Sequence, residues 1–268
     1  MSRAVTLEGN AETRQFGLES RGLRYWLRSY VLMVKWEALS LRMLLPIMVV
    51  IQFFVGAGSI VGLGFFFEEV PPLQALFIST GSSVVALLML GFVMAPQTIS
   101  QRKMEGTYEF IWTLPVPRVT TVAAGMTVWM LVAIPGMIAA LAIALVRYDI
   151  DLQVSWLILP AVLLTVAMST SLGNAFAHGI PNPLLVNLMT QILIFVIIMY
   201  SPINFPASRF PDWLNAMHSV LPFEHAANVV RASLTEGIVE NVGKSFAILA
   251  GWTAASAALT AWILGRRR

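Results

Sequence analysis

Cysteine is absent from this 268-residue chain, histidine occurs three times, and charged side chains make up only 12% of it. The first absence excludes disulfides and thiolate metal centres. The shortage of charge excludes an ordinary soluble domain, in which about a quarter of residues are charged. Proton relays need Asp, Glu or His inside a membrane. Here the apolar runs hold almost none, with Glu37 and Arg42 at an entrance and His178 at the end of a run. This argues against a proton-coupled carrier. No nucleophile, base and orienting group can be assembled into one site.

What remains is apolar: 57% of residues are hydrophobic and the mean hydropathy is +0.76. A helix needs roughly 20 residues to cross a hydrocarbon core of ~30 Å. Six runs approach that length, at 43–67, 73–97, 119–146, 156–177, 184–200 and 246–264. No strand alternation is visible, and open sheet edges do not sit in lipid. The expectation is an all-α, polytopic membrane protein with six transmembrane helices, forming a single domain over 1–268. No signal peptide is expected, since the first long run begins near Met43 with no small-residue cleavage pattern after it.

The net charge of +3 does not point to nucleic acid, because the basic residues flank apolar runs. Of the 17 Lys and Arg, all but Arg147, Arg209, Arg231 and Lys244 fall before the first run, between the second and third, or at the tail. The positive-inside rule makes that side cytoplasmic, with both termini on it. A segment over 20–42 carries Arg21, Arg24, Arg28 and Lys35 on one helical stripe. Leu23, Trp26, Leu27, Tyr30 and Val34 lie on the opposite one. This reads as an amphipathic helix in the headgroup plane, with packing on a protein partner as the alternative.

The segment 100–118, SQRKMEGTYEFIWTLPVPR, gathers Arg102, Lys103, Glu105, Glu109 and Arg118 between two apolar runs. Met104, Tyr108, Ile111 and Trp112 share a helical face over 100–113, and Gln101, Glu105 and Glu109 share another. Arg102 is placed to offset the repulsion of the two carboxylates through Glu105. Pro115 and Pro117 stop the helix. The pattern predicts a short helix clamped between two spans, with an acidic stripe suited to a basic groove; an ordinary polar loop is the alternative.

Over 201–235, Pro202, Pro206, Pro211 and Pro222 divide the chain into pieces too short to cross. Helices are expected over about 211–221 and 222–234, either re-entrant or as an extracellular hairpin. Gly237–Ser245 (GIVENVGKS) imitates a phosphate-binding loop, but position 238 is Ile and no strand precedes it. His218, Glu224 and His225 could be drawn as a metal cluster, although Pro222 breaks their helix. Gly58 and Gly62 have the spacing that permits close helix approach, or mark a flexible outer end. Gln52, Ser83, Ser171, Asn174, Asn187 and Gln191 are interhelical glue or line a substrate path.

EGTYE over 105–109 followed by TLPVPR over 113–118 resembles the cytoplasmic E-x-G-T-x-E … T-P-V-x-R segment of type-2 ATP-binding-cassette (ABC) exporter permeases. Leu114 separates Thr113 from Pro115, and Tyr108 stands where that family commonly has Leu. Residues 201–234 are similar to the family's stretch between the fifth and sixth spans, where two short helices dip into the outer leaflet. The resemblance implies that 100–118 is a coupling helix docking into a separate ATPase subunit. It would do so through Gln101, Arg102, Met104, Glu105, Gly106, Thr107, Tyr108, Glu109, Thr113, Pro115 and Arg118. It also implies an interfacial helix carrying Arg21, Arg24, Trp26, Arg28 and Tyr30. Export of an amphiphilic, lipid-linked or drug-like molecule across a bacterial inner membrane is implied as well. The chain itself is expected to hold no cofactor, with ATP and magnesium on the partner, and to pair with a second permease. The rival reading is a non-transporting membrane scaffold or intramembrane enzyme.

Overall fold

A computed structural model describes residues 22–266, which contain helices and no strand. Helix α1 (Leu23–Ser40) leads into α2 (Leu45–Gly64). Helix α3 (Pro72–Met89) runs through a π-helical turn (Leu90–Met94) into α4 (Ala95–Met104), and α5 (Thr107–Thr113) follows. Then come α6 (Arg118–Tyr148), α7 (Ile158–Gly179) and α8 (Pro183–Tyr200). The short α9 (Asp212–His218) and α10 (Pro222–Leu234) precede α11 (Val242–Arg266). Six helices are long and apolar enough to cross a membrane, with α3, the π turn and α4 counting as one of 33 residues.

That composite helix is longer than the expected span over 73–97. Pro96 lacks an N–H and clashes with the preceding turn of a regular α-helix. Here the π turn immediately before it widens the helix and absorbs the proline. The expected single helix over 100–113 is instead two. The chain breaks at Gly106, whose φ of 75° lies in the left-handed region, where a residue with a Cβ costs ~1–2 kcal/mol. Helix α9 ends at His218, short of the expected Leu221.

The core forms around α3, whose residues from Ile78 to Leu88 are all buried. Close approach is made by glycines, but not by the expected pair. Gly58 and Gly62 face open space, while a Cβ on Gly56 would meet the Gly136 carbonyl at 2.3 Å. Helices α2 and α6 therefore cross backbone to backbone two residues earlier than the G-x-x-x-G spacing indicates. A second such crossing brings Gly91 in the π turn against Ser169 and Gly173 of α7.

At the end of the bundle away from Gly106, Arg231 of α10 is 1% exposed. Its guanidinium donates to the Ile203 carbonyl (2.6 Å), Thr80 Oγ1 (3.1 Å) and Asn228 Oδ1 (3.2 Å). It also lies 4.0 Å from the centre of the Phe77 ring. Burial pushes this guanidinium down to about 10, with Glu224 opposing the shift. Glu224, Asn228 and Arg231 share one face of α10, and the arginine clasps α10 onto α3. His225 contacts Ser245 Oγ (3.2 Å) and the Ser219 carbonyl (3.0 Å) rather than joining His218 and Glu224. Among the described residues no group of three metal-ligating side chains converges. Gly243, Lys244 and Ser245 of the loop-like motif lie in the first turn of α11.

Candidate functional site

The elbow between α4 and α5 has two sides. On its outer side Gln101, Met104, Glu105, Gly106, Glu109, Phe110, Thr113 and Pro115 are exposed. On its inner side Tyr108 and Ile111 are each 4% exposed. The expected apolar face therefore splits. Tyr108 and Ile111 turn inward, Trp112 is half-buried, and Met104 points out because the break at Gly106 rotates α5 relative to α4. Of the expected acidic stripe, Gln101 and Glu105 stay side by side, with Gln101 Nε2 donating to Glu105 Oε1 at 2.8 Å, while Glu109 is exposed on α5 beyond the break.

Arg102 does not turn to Glu105. Its Nη2 meets Glu37 Oε2 of α1 at 2.9 Å, with the two side chains 15% and 6% exposed. Removing one partner of so buried a pair strands the other charge in a poorly solvated site. Two further contacts join the same elements. The Tyr25 hydroxyl donates to the Pro115 carbonyl, and the Trp36 and Phe110 rings lie 6.3 Å apart.

Lys103 turns the other way, to the end of α7. Its ammonium donates to the Ala177 carbonyl and, at 2.8 Å, to that of Ile180. The last carbonyls of a helix have no partner within it and carry partial negative charge, so a lysine here both satisfies and neutralises them. The Tyr108 hydroxyl lies 2.8 Å from His178 Nδ1 in the same turn of α7. Tyr108, Trp112 and His178 form a ring cluster with centroids 5.6–5.9 Å apart. Arg118 lies over the Trp112 ring and donates to the Leu264 carbonyl near the end of α11.

The elbow is thereby wired to α1, α7 and α11 at once. A cleft behind it is lined by Glu37, Arg102, Tyr108, Trp129, Asn174 and His178. Thr107 is half-buried beside the turn. Sequence reasoning missed Glu37 and Lys103 as parts of this site. Lys103 sits inside the charged segment and could have been included on that ground. Glu37 carries no such signal, since its partner is 65 residues away.

The polar residues expected along a path fall at separate places. Gln52 is buried between helices, its Nε2 donating to the Ala86 carbonyl at 3.2 Å. Ser83 bonds within its own helix, to the Ser79 carbonyl. Asn174 belongs to the cleft behind the elbow and Ser171 to a groove beside α11. Asn187 is half-buried on α8, where Gln191 is exposed.

Helix α1 lies along α6, with Tyr30 Oη against Thr127 Oγ1 and Trp26 stacked on Tyr30. Its most buried edge is Ser29, Met33 and Glu37. Leu23 and Leu27 of the expected apolar stripe are exposed beside Arg24 and Arg28, and Arg21 lies outside the described residues.

A comparison with curated proteins finds no match. Residues 41–235 match the sequence model of the ABC-2 type transporter family. That interval takes in five of the six long apolar helices, the elbow and the short helices α9 and α10. Over most of its length, then, the chain belongs to the ABC-2 type transporter family, as a multi-pass membrane permease of an ABC transporter.

Proposed function

We propose that this permease exports an amphiphilic, lipid-linked or drug-like molecule, driven by a separate ABC ATPase that docks on the α4–α5 elbow. The observation that carries the reading is the two-sidedness of the elbow. Its outer face offers Gln101, Met104, Glu105 and Glu109 to a partner. Its inner face is tied by Arg102, Lys103, Tyr108 and Arg118 to three other helices. Motion imposed from outside therefore reaches α1, α7 and α11 together. The near-absence of ionisable residues inside the spans favours an apolar or amphiphilic cargo.

In this reading the elbow and both termini face the cytoplasm of a bacterial cell, ATP and magnesium belong to the partner, and α1 lies in the headgroup plane. Its exposed Leu23, Leu27, Val31 and Leu39 beside Arg24 and Arg28 suit that position. A second permease, identical or related, completes the pathway.

The test replaces Glu105 and Glu109 with Lys and co-expresses the chain with an ABC ATPase subunit that co-purifies with the wild-type permease. The expected outcome is loss of co-purification and of permease-stimulated ATP hydrolysis, with the permease still folded and monodisperse. Assembly and stimulation equal to wild type would remove the docking assignment.

A further inference from the structure

A groove separate from the cleft behind the elbow runs along the bundle between α6, α7 and α11. Val122 and Met126 of α6 form one wall and Ala257 and Ala261 of α11 the other, with Arg118 at its mouth. Along α11 it extends from Ala257 to Gly265, a length of ~12 Å at 1.5 Å per residue. That is less than half the thickness of a ~30 Å hydrocarbon core, so the groove belongs to one leaflet.

Two polar features mark its occupant. The mouth is basic, since Arg118 lines it. Deeper in, Ser171 is 2% exposed and its hydroxyl has no hydrogen-bond partner in the protein. Its backbone carbonyl accepts from Thr260 Oγ1 at 3.3 Å. Thr260 lies four residues before Leu264, whose carbonyl accepts from Arg118. Ser171 therefore sits ~6 Å below the arginine along the helix axis. A phospholipid presents the same order: an anionic phosphate, glycerol-ester carbonyls a few bonds below it, then an acyl chain.

We propose that the groove is a binding site for one anionic phospholipid of the leaflet at the elbow end. The phosphate lies at Arg118, an ester carbonyl accepts from the Ser171 hydroxyl, and an acyl chain lies along Ala257, Ala261 and Met126. Arg118 also touches Trp112 and α11, so the bound lipid sits where the elbow is attached to the bundle. This site is independent of the cargo and of the direction of transport.

The test uses the full chain in nanodiscs of equal phosphatidylglycerol and phosphatidylcholine. A benzoylphenylalanine photo-cross-linker is placed at Ala261 in the groove or at Ile192, exposed on α8. Mass spectrometry then identifies the adducts. The Ala261 position is expected to capture phosphatidylglycerol with an about fivefold preference, the effect of one basic residue at such a surface. The Ile192 position captures both lipids equally. Arg118→Gln brings the Ala261 preference toward equality and Arg118→Lys retains it. Ala257→Trp, which fills an open groove without entering the core, abolishes the adduct. Equal capture of both lipids at Ala261, an adduct to a second copy of the chain, or an undiminished adduct in Ala257→Trp would each overturn the proposal.

Discussion

Among single residues, Glu37 shows how much a helix pattern can conceal. On a helical wheel it lies on the apolar stripe, in line with Trp26, Tyr30 and Val34, at the entrance to the membrane. In the folded chain it is 5% exposed and receives Arg102 from the elbow. Nothing local names its partner, because the pairing depends on the path of two complete spans between residues 37 and 102. Glu37→Gln leaves a guanidinium without its counter-charge and is expected to destabilise the protein by about 3–5 kcal/mol. The exchanged pair Glu37→Arg with Arg102→Glu restores most of that loss. Thermal unfolding in detergent, followed by near-ultraviolet circular dichroism, measures both. Equal destabilisation by the single and exchanged variants would show that the pair contributes nothing as a pair. Arg231 was similarly hidden. The carbonyl, hydroxyl and aromatic face that receive it come from residues 77–80 and 203, far from it in the chain.

Helices were more legible than their partners. The third span was expected over 119–146 and is α6 over Arg118–Tyr148; the fifth was expected over 184–200 and is α8 over Pro183–Tyr200. Hydropathy reports such segments directly, because each must present apolar side chains along its length. Two kinds of detail escaped. The first was continuity: polar residues 97–103 end the hydropathy signal although the helix goes on to Met104. The second was which glycines make contact. Gly56 and Gly136 touch, while the better-known spacing at Gly58 and Gly62 does not, since contact depends on where a second helix passes. The elbow itself depends on Gly106, where a Cβ would meet nothing within 4 Å, so only backbone strain opposes substitution. Gly106→Ala is expected to cost about 1–2 kcal/mol, and Gly106→Asn less, since asparagine tolerates the left-handed region. Denaturant titration of the two variants checks the order; an alanine variant as stable as wild type would show that α5 can reorient freely.

On the scale of the whole molecule, the distribution of apolar surface sets apart the core from the membrane-facing helices. The α3–α4 composite is mostly buried, whereas α8 and α11 leave most of their residues at the surface. Helix α2 carries a ridge of Ile47, Ile51, Phe54, Gly58 and Gly62 that is exposed among the described residues. Small residues at such a ridge let two helices approach closely in lipid. If the second permease is another copy of this chain meeting it here, Gly58→Cys is expected to give a disulfide-linked dimer on mild oxidation. The natural chain contains no cysteine, so the background is clean. Leu259→Cys on α11 is expected to remain monomeric. Absence of a dimer band from Gly58→Cys would place the second subunit elsewhere.

The composite helix Pro72–Met104 has a simple geometric consequence. Its 33 residues measure about 50 Å, against ~30 Å of hydrocarbon. Upright, such a rod stands some 20 Å proud of the oil, which a steep tilt only partly conceals. The handle is thus held in water while its shaft stays greased, and a companion in solution can grip it without ever entering the bilayer.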